Sequence, residues 1–129
     1  MPRYVIDSYA WIEYFIGSTK GEKVKEIIES NSNKIFTPLV VISEVMSITK
    51  REQRDTEEIY KKMIGLSEII IPTLEMAKET GLLHAEIRKK IHDFGMADVF
   101  VLLTARKTNA KIITGDPHFT EIKEAILLK

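Results

Sequence analysis

The chain has no cysteine, which excludes disulfides and thiolate-bound zinc. It has no excess of either charge: 19 Lys and Arg balance 19 Asp and Glu. Broad attraction to polyanions is therefore excluded, and any grip on phosphate has to come from a local strip or a defined site. No apolar run approaches the roughly 20 residues of a membrane span. The first residues lack the basic flank, apolar stretch and small-residue cleavage site of a secretory leader, so the expectation is a cytoplasmic protein without a membrane segment. The three histidines, His84, His92 and His118, lack zinc-site spacing, and His118 reads as a bystander beside the more telling acids around it. The six glycines form neither a dinucleotide fingerprint nor a phosphate loop.

What is present is enough apolar residue for a real core: 44% of 129 residues, which predicts one domain over 1–129. Strand and helix alternate along it. The pattern predicts a strand over 3–7 and a helix over 9–16 capped by Ser8, then a second helix over 22–30. A strand at 34–36 leads to Thr37-Pro38, read as the cap and first residue of a helix to Arg51. A helix over 56–67, a strand over 69–71 and a long helix over 74–92 follow, with Gly81 as a possible bend. An apolar helix over 96–108 capped by Asn109, a strand over 111–114 and an edge strand over 125–128 complete the series. Strands separated by helices predict a parallel sheet with helices on both faces.

Four acids stand at unusual places on this scheme. Asp7 and Asp116 fall just past the ends of the first and fourth strands, where open α/β sheets place ligands. Glu44 and Asp98 lie within the apolar helical stretches 39–46 and 96–103, where a carboxylate is costly unless something pairs with it. Each acid has a plain alternative. Asp7 could be a capping carboxylate, a phosphoacceptor or a dehalogenase-type nucleophile, but the last wants a second Asp where Tyr9 stands. Glu44 could face solvent on a stripe through 43, 44 and 47, and Asp116-Pro117 could be only a turn. Together the four make an oxygen-only set of the kind that holds Mg²⁺ or Mn²⁺. At 4 Å two carboxylates repel by about 4 kcal/mol at an effective dielectric near 20, so four gathered acids call for cations or protons.

The blocks Val5-Ile6-Asp7-Ser8-Tyr9-Ala10-Trp11-Ile12, Thr37-Pro38 with Ser43-Glu44-Val45, Met96-Ala97-Asp98-Val99 and Ile113-Thr114-Gly115-Asp116-Pro117-His118-Phe119 occur in one order. In that order and spacing the chain resembles the PIN-domain family of metal-dependent ribonucleases, most closely the small VapC-type toxins of toxin–antitoxin pairs. The resemblance implies a three-layer α/β/α sandwich on a five-stranded parallel sheet, with Asp7, Glu44, Asp98 and Asp116 as catalytic metal ligands for Mg²⁺ (or Mn²⁺). Ser8 and Thr114 match positions that support the acids. Val99 departs from a commoner Ala, which affects packing and not a ligand. The resemblance also implies an RNA substrate, a homodimer and a partner antitoxin, with the helices over 22–30 and 38–67 as the expected antitoxin groove. The function expected is a metal-dependent endoribonuclease. A processing nuclease for ribosomal or transfer RNA precursors and a non-catalytic RNA- or protein-binding module on the same fold stay open beside it.

Overall fold

The computed structural model describes all 129 residues. Five short strands form the sheet: β1 (Arg3–Ile6), β2 (Lys34–Pro38), β3 (Glu68–Ile70), β4 (Lys111–Thr114) and β5 (Ala125–Leu127). Six helices connect them: α1 (Ser8–Ile16), α2 (Thr19–Ile28), α3 (Leu39–Arg51), α4 (Thr56–Leu66), α5 (Leu74–Ile87) and α6 (Met96–Thr108). The strand order is β3-β2-β1-β4-β5 and every pair is parallel. Helices flank the sheet in an α/β/α sandwich, the architecture the resemblance implied. No helix is long and apolar enough to cross a membrane.

The apolar runs of β1 and β4 explain why they lie at the centre: Val5, Ile6, Ile112 and Ile113 are all fully buried, as expected where helices cover both faces of a parallel sheet. Helix α6 crosses β1, β2 and β4, and α5 packs on α6. Helices α1 and α2 pack on each other, and α3 touches both α1 and α6. Strand order reverses between β1 and β4, because the chain builds outward to β3 and then returns to the other side of β1. The crevice past the carboxyl ends of those two strands is the topological switch point.

Several boundaries differ from the sequence reading, each for a local reason. Asp7, not Ser8, caps α1: its Oδ1 accepts the Ala10 N–H at 2.9 Å, which places Ser8 in the first helical turn. Helix α2 begins earlier, at Thr19, because Ser18 caps it by accepting the Gly21 N–H at 3.0 Å. Thr37 does not cap α3. Strand β2 continues through Pro38, and the Thr37 hydroxyl instead accepts the indole N–H of the buried Trp11 at 3.1 Å and pairs with Ser67 Oγ at 2.8 Å. A buried indole donor needs a partner, and Thr37 supplies it. Strand β3 is shifted one residue earlier than 69–71 and β5 ends at Leu127. Helix α5 stops at Ile87 and runs unbroken through Gly81.

Candidate metal centre

Asp7 closes β1 and Asp116 follows β4, and the parallel pairing of Ile6 with Ile113 sets them side by side. Thr114 lies between them: its Oγ1 accepts the Asp116 N–H at 3.0 Å, and its hydroxyl bonds the Asp7 carboxyl. Asp98 arrives from the first turn of α6, with its Oδ2 accepting the Gly95 N–H at 3.3 Å. A carboxylate there also profits from the positive end of the helix dipole. Glu44 reaches the same region from α3, where the Ser8 hydroxyl bonds it. Its neighbours Ser43 and Ser47 are exposed while Glu44 is half-buried, so the solvent stripe passes beside it.

The segment that leads into α6 and Asp98 is held to the one that follows Asp116. Phe94 and Phe119 are fully buried and meet edge to face, with ring centroids 5.2 Å apart, a geometry that contributes roughly 1 kcal/mol beyond its burial. Above this pair, His118 spans the same two segments: its Nε2 lies 2.9 Å from Asp93 Oδ2 and its Nδ1 2.9 Å from Asp116 Oδ1. The His118 backbone N–H also donates to Asp116 Oδ1 at 2.9 Å.

The tightest grouping is therefore Asp98, Asp116 and His118, whose donor atoms all lie within 4.8 Å of one another. Asp7 and Glu44 stand outside that triplet, but both feel the charge of Asp98, and Asp7 that of Asp116 as well. All four predicted acids converge on one end of the sheet, together with Ser8 and Thr114. His118 is not a bystander. Its signal was in the sequence: an Asx turn at Asp116-Pro117-His118 folds residue 118 back on residue 116. Asp93 carried no comparable signal.

Charge has accumulated here without a Lys or Arg partner, since none of the four acids takes part in an ion pair with either. Burial is the main cause that pushes the Asp7 carboxyl up to about 7, against the hydrogen bonds from Thr114 and Ala10 and with the help of Asp98 and Asp116. Burial likewise raises Glu44 and Asp98; Asp98 charge adds to the first, and Asp116 charge to the second. His118 is held above its usual range by its hydrogen bonds to Asp93 and Asp116. Such a niche, with carboxylate oxygens, hydroxyls and one imidazole, suits a hard divalent cation by the chemistry of its donors.

The fold is shared with solved structures. A toxin–antitoxin complex from Klebsiella pneumoniae superimposes with a TM-score of 0.73 at 20% identity, covering 98% of each chain. VapBC2 from Rickettsia felis, bound to a DNA fragment from its promoter, gives 0.72 at 20% identity over 97% of this chain and 96% of that one. VapC20 from Mycobacterium tuberculosis, a sarcin–ricin-loop-cleaving toxin, gives 0.72 at 12% identity over 93% of this chain and 95% of that one. No match to a curated protein was found. The family model of the PIN domain matches residues 4–125, nearly the whole chain, and together with the parallel sheet and the acids at its switch point this places the protein in the PIN domain family.

Proposed function

We propose that the protein is a Mg²⁺- or Mn²⁺-dependent endoribonuclease and the toxin of a toxin–antitoxin pair. The observation that carries this reading is the convergence of Asp7, Glu44, Asp98 and Asp116 at the switch point with no Lys or Arg to neutralise them. Asp98 and Asp116 would hold the ion, with Asp7 completing the set and Glu44 acting through water or orienting the nucleophile. A divalent ion bound there supplies Lewis acidity toward a phosphodiester and lowers the pKa of water.

The rest is the work of the chain. Thr114 keeps Asp7 and Asp116 in register. His118 fixes the direction of Asp116, as partners of ligating carboxylates do. Ser8 orients Glu44, which at a raised pKa can accept a proton from the attacking water. In-line attack by water would leave a 3′-hydroxyl and a 5′-phosphate. Neutral net charge suggests that target choice rests on a few contacts or on RNA shape.

Solved neighbours that are toxin–antitoxin complexes favour the toxin role over a processing nuclease. As the family resemblance implies, the chain would be a homodimer, and the antitoxin partner that the solved complexes favour would bind on α2, α3 and α4. The test is to incubate purified, antitoxin-free protein and its Asp98→Asn variant with mixed RNA in Mg²⁺, in Mn²⁺ and in excess chelator. Cleavage that needs both the ion and Asp98 is expected. RNA binding without cleavage in any condition would replace this reading with a binding module.

A further inference from the structure

A cation at an unusual place is linked to the acids through Tyr9 and Gly115. Lys20 sits in the first turn of α2 (Thr19–Ile28), the end of a helix where positive charge is disfavoured. It forms no ion pair with any carboxylate within 4.0 Å. Glu13, the acid whose charge it feels, lies beyond that distance and accepts the Ser18 hydroxyl at 3.3 Å. The Lys20 ammonium instead donates to the Tyr9 hydroxyl at 3.0 Å and stands 5.4 Å from the centre of the Tyr9 ring. Of its three N–H donors, one is used.

Both residues are held in place from below. The Gly21 backbone presses on α1 so closely that a Cβ would overlap the Glu13 carbonyl, which fixes the start of α2 against α1. The Tyr9 ring lies directly on Gly115, where a Cβ would overlap it. Gly115 separates Thr114 from Asp116, and Ser8, the neighbour of Tyr9, bonds Glu44. A continuous series of contacts thus runs from Asp116 through Gly115 and Tyr9 to the ammonium of Lys20. Besides His118, whose ring is committed to Asp93 and Asp116, and Arg88, whose charge Asp93 feels, Lys20 is a cation that the structure ties by contact to the acidic cluster.

We propose that Lys20, positioned by Tyr9, forms a phosphate subsite that takes an RNA backbone phosphate flanking the one cleaved. This rests on the nuclease reading above and names how that site holds its substrate. A polyanion entering a niche of four acids is repelled except where a cation meets it, and an ammonium with free donors at the rim supplies such a point. The phenol restricts the flexible lysine stem in advance, so less freedom is lost when a phosphate arrives.

The test is steady-state cleavage of a homogeneous single-stranded RNA that the wild-type protein cuts, by wild type, Lys20→Met, Lys20→Arg and Tyr9→Phe, at several KCl concentrations. Lys20→Met is expected to raise KM about 5- to 10-fold, to leave kcat within about twofold, and to flatten the slope of log(kcat/KM) against log[KCl] by about 0.7, the share of one phosphate contact on a single strand. Lys20→Arg keeps most of the wild-type KM and slope, and Tyr9→Phe raises KM about two- to threefold. The Mg²⁺ concentration for half-maximal rate stays unchanged in all, which separates the subsite from the metal ligands. An unchanged KM and slope in Lys20→Met overturns the subsite while the nuclease stands. A fall in kcat with a shifted Mg²⁺ requirement, or loss of activity in Lys20→Arg as well, also overturns it in favour of a structural role. A wild-type protein that cuts no RNA overturns the nuclease reading and the subsite with it.

Discussion

The two ends of the sheet treat charge in opposite ways. At the amino end, Arg3, Arg106, Lys111 and Lys123 line a cleft of about 520 Å³ with Glu124. Charge there serves the fold: Arg3 Nε donates to the Thr108 carbonyl near the end of α6 and its guanidinium rests 4.9 Å from the Phe36 ring centre, and Arg106 pairs with Glu124 at 2.9 Å. Burial pushes Glu124 up, but the Arg106 guanidinium, the backbone N–H of Glu124 and the Lys123 charge together outweigh it, and the carboxyl ends below its ordinary range. At the carboxyl end, Asp7, Glu44 and Asp98 are all raised, with no guanidinium or ammonium to pair with them. A carboxyl lowered by a guanidinium partner, like Glu124, belongs to the fold's own stability, whereas several carboxyls raised together without such a partner are the pattern of a functional site.

The largest effect should come from removing charge at the carboxyl end. Asp98→Asn is expected to lower RNA cleavage by at least about a hundredfold, read as the initial rate on labelled RNA, while in chelator its thermal stability equals or exceeds that of wild type. A variant that cuts at the wild-type rate would erase the contrast between the two ends. Next, His118→Ala frees the Asp116 carboxylate from its clamp and should weaken the apparent Mg²⁺ affinity about tenfold, measured as the metal dependence of cleavage.

The sign of the pH dependence sharpens the comparison further. With Asp7 raised to about 7 in the fold and near 3.9 when unfolded, the folded state binds more protons between those values. Metal-free protein should therefore lose stability as pH rises from about 4 to about 7, by an amount on the order of 4 kcal/mol from this group. Asp7→Asn, which retains an oxygen for the Ala10 N–H, should abolish most of that loss and melt several degrees higher than wild type at pH 8 in chelator. Differential scanning calorimetry across the pH range decides it, and a flat profile for wild type would mean that burial disfavours the charged Asp7 carboxylate far less than its surroundings imply. The smallest effect belongs to the amino end: Arg106→Met should cost about 1 kcal/mol or less in urea unfolding and leave the cleavage rate unaltered.

Much of this contrast was legible in the residues. Strand-end placement of Asp7 and Asp116, and the cost of an acid in the apolar stretches around Glu44 and Asp98, follow from periodicity alone, and the structure gathers all four. Caps were harder to read. Ser8 and Asp7 are both good capping residues, and only the point where the extended backbone gives way to helix, after Asp7, decided that Asp7 receives the Ala10 N–H. Thr37 looked like a cap because it precedes a proline, but a buried indole 26 residues away needed its oxygen more. His118 was passed over because zinc-type spacing was the wrong test: its partners are carboxylates, one of them 25 residues distant.

The sequence by itself determined the class of the fold and the identity of the acids, because alternation of strand and helix and the cost of a carboxylate among apolar neighbours are local properties. Tertiary structure decided which donors share a centre. The parallel register of β1 on β4, the packing of α3 and α6, and the Phe94–Phe119 contact bring together residues as far apart as Asp7 and Asp116. It also decided that Tyr9 lies on Gly115 and holds Lys20. The direction of a side chain depends on neighbours distant in sequence, and no periodicity records them.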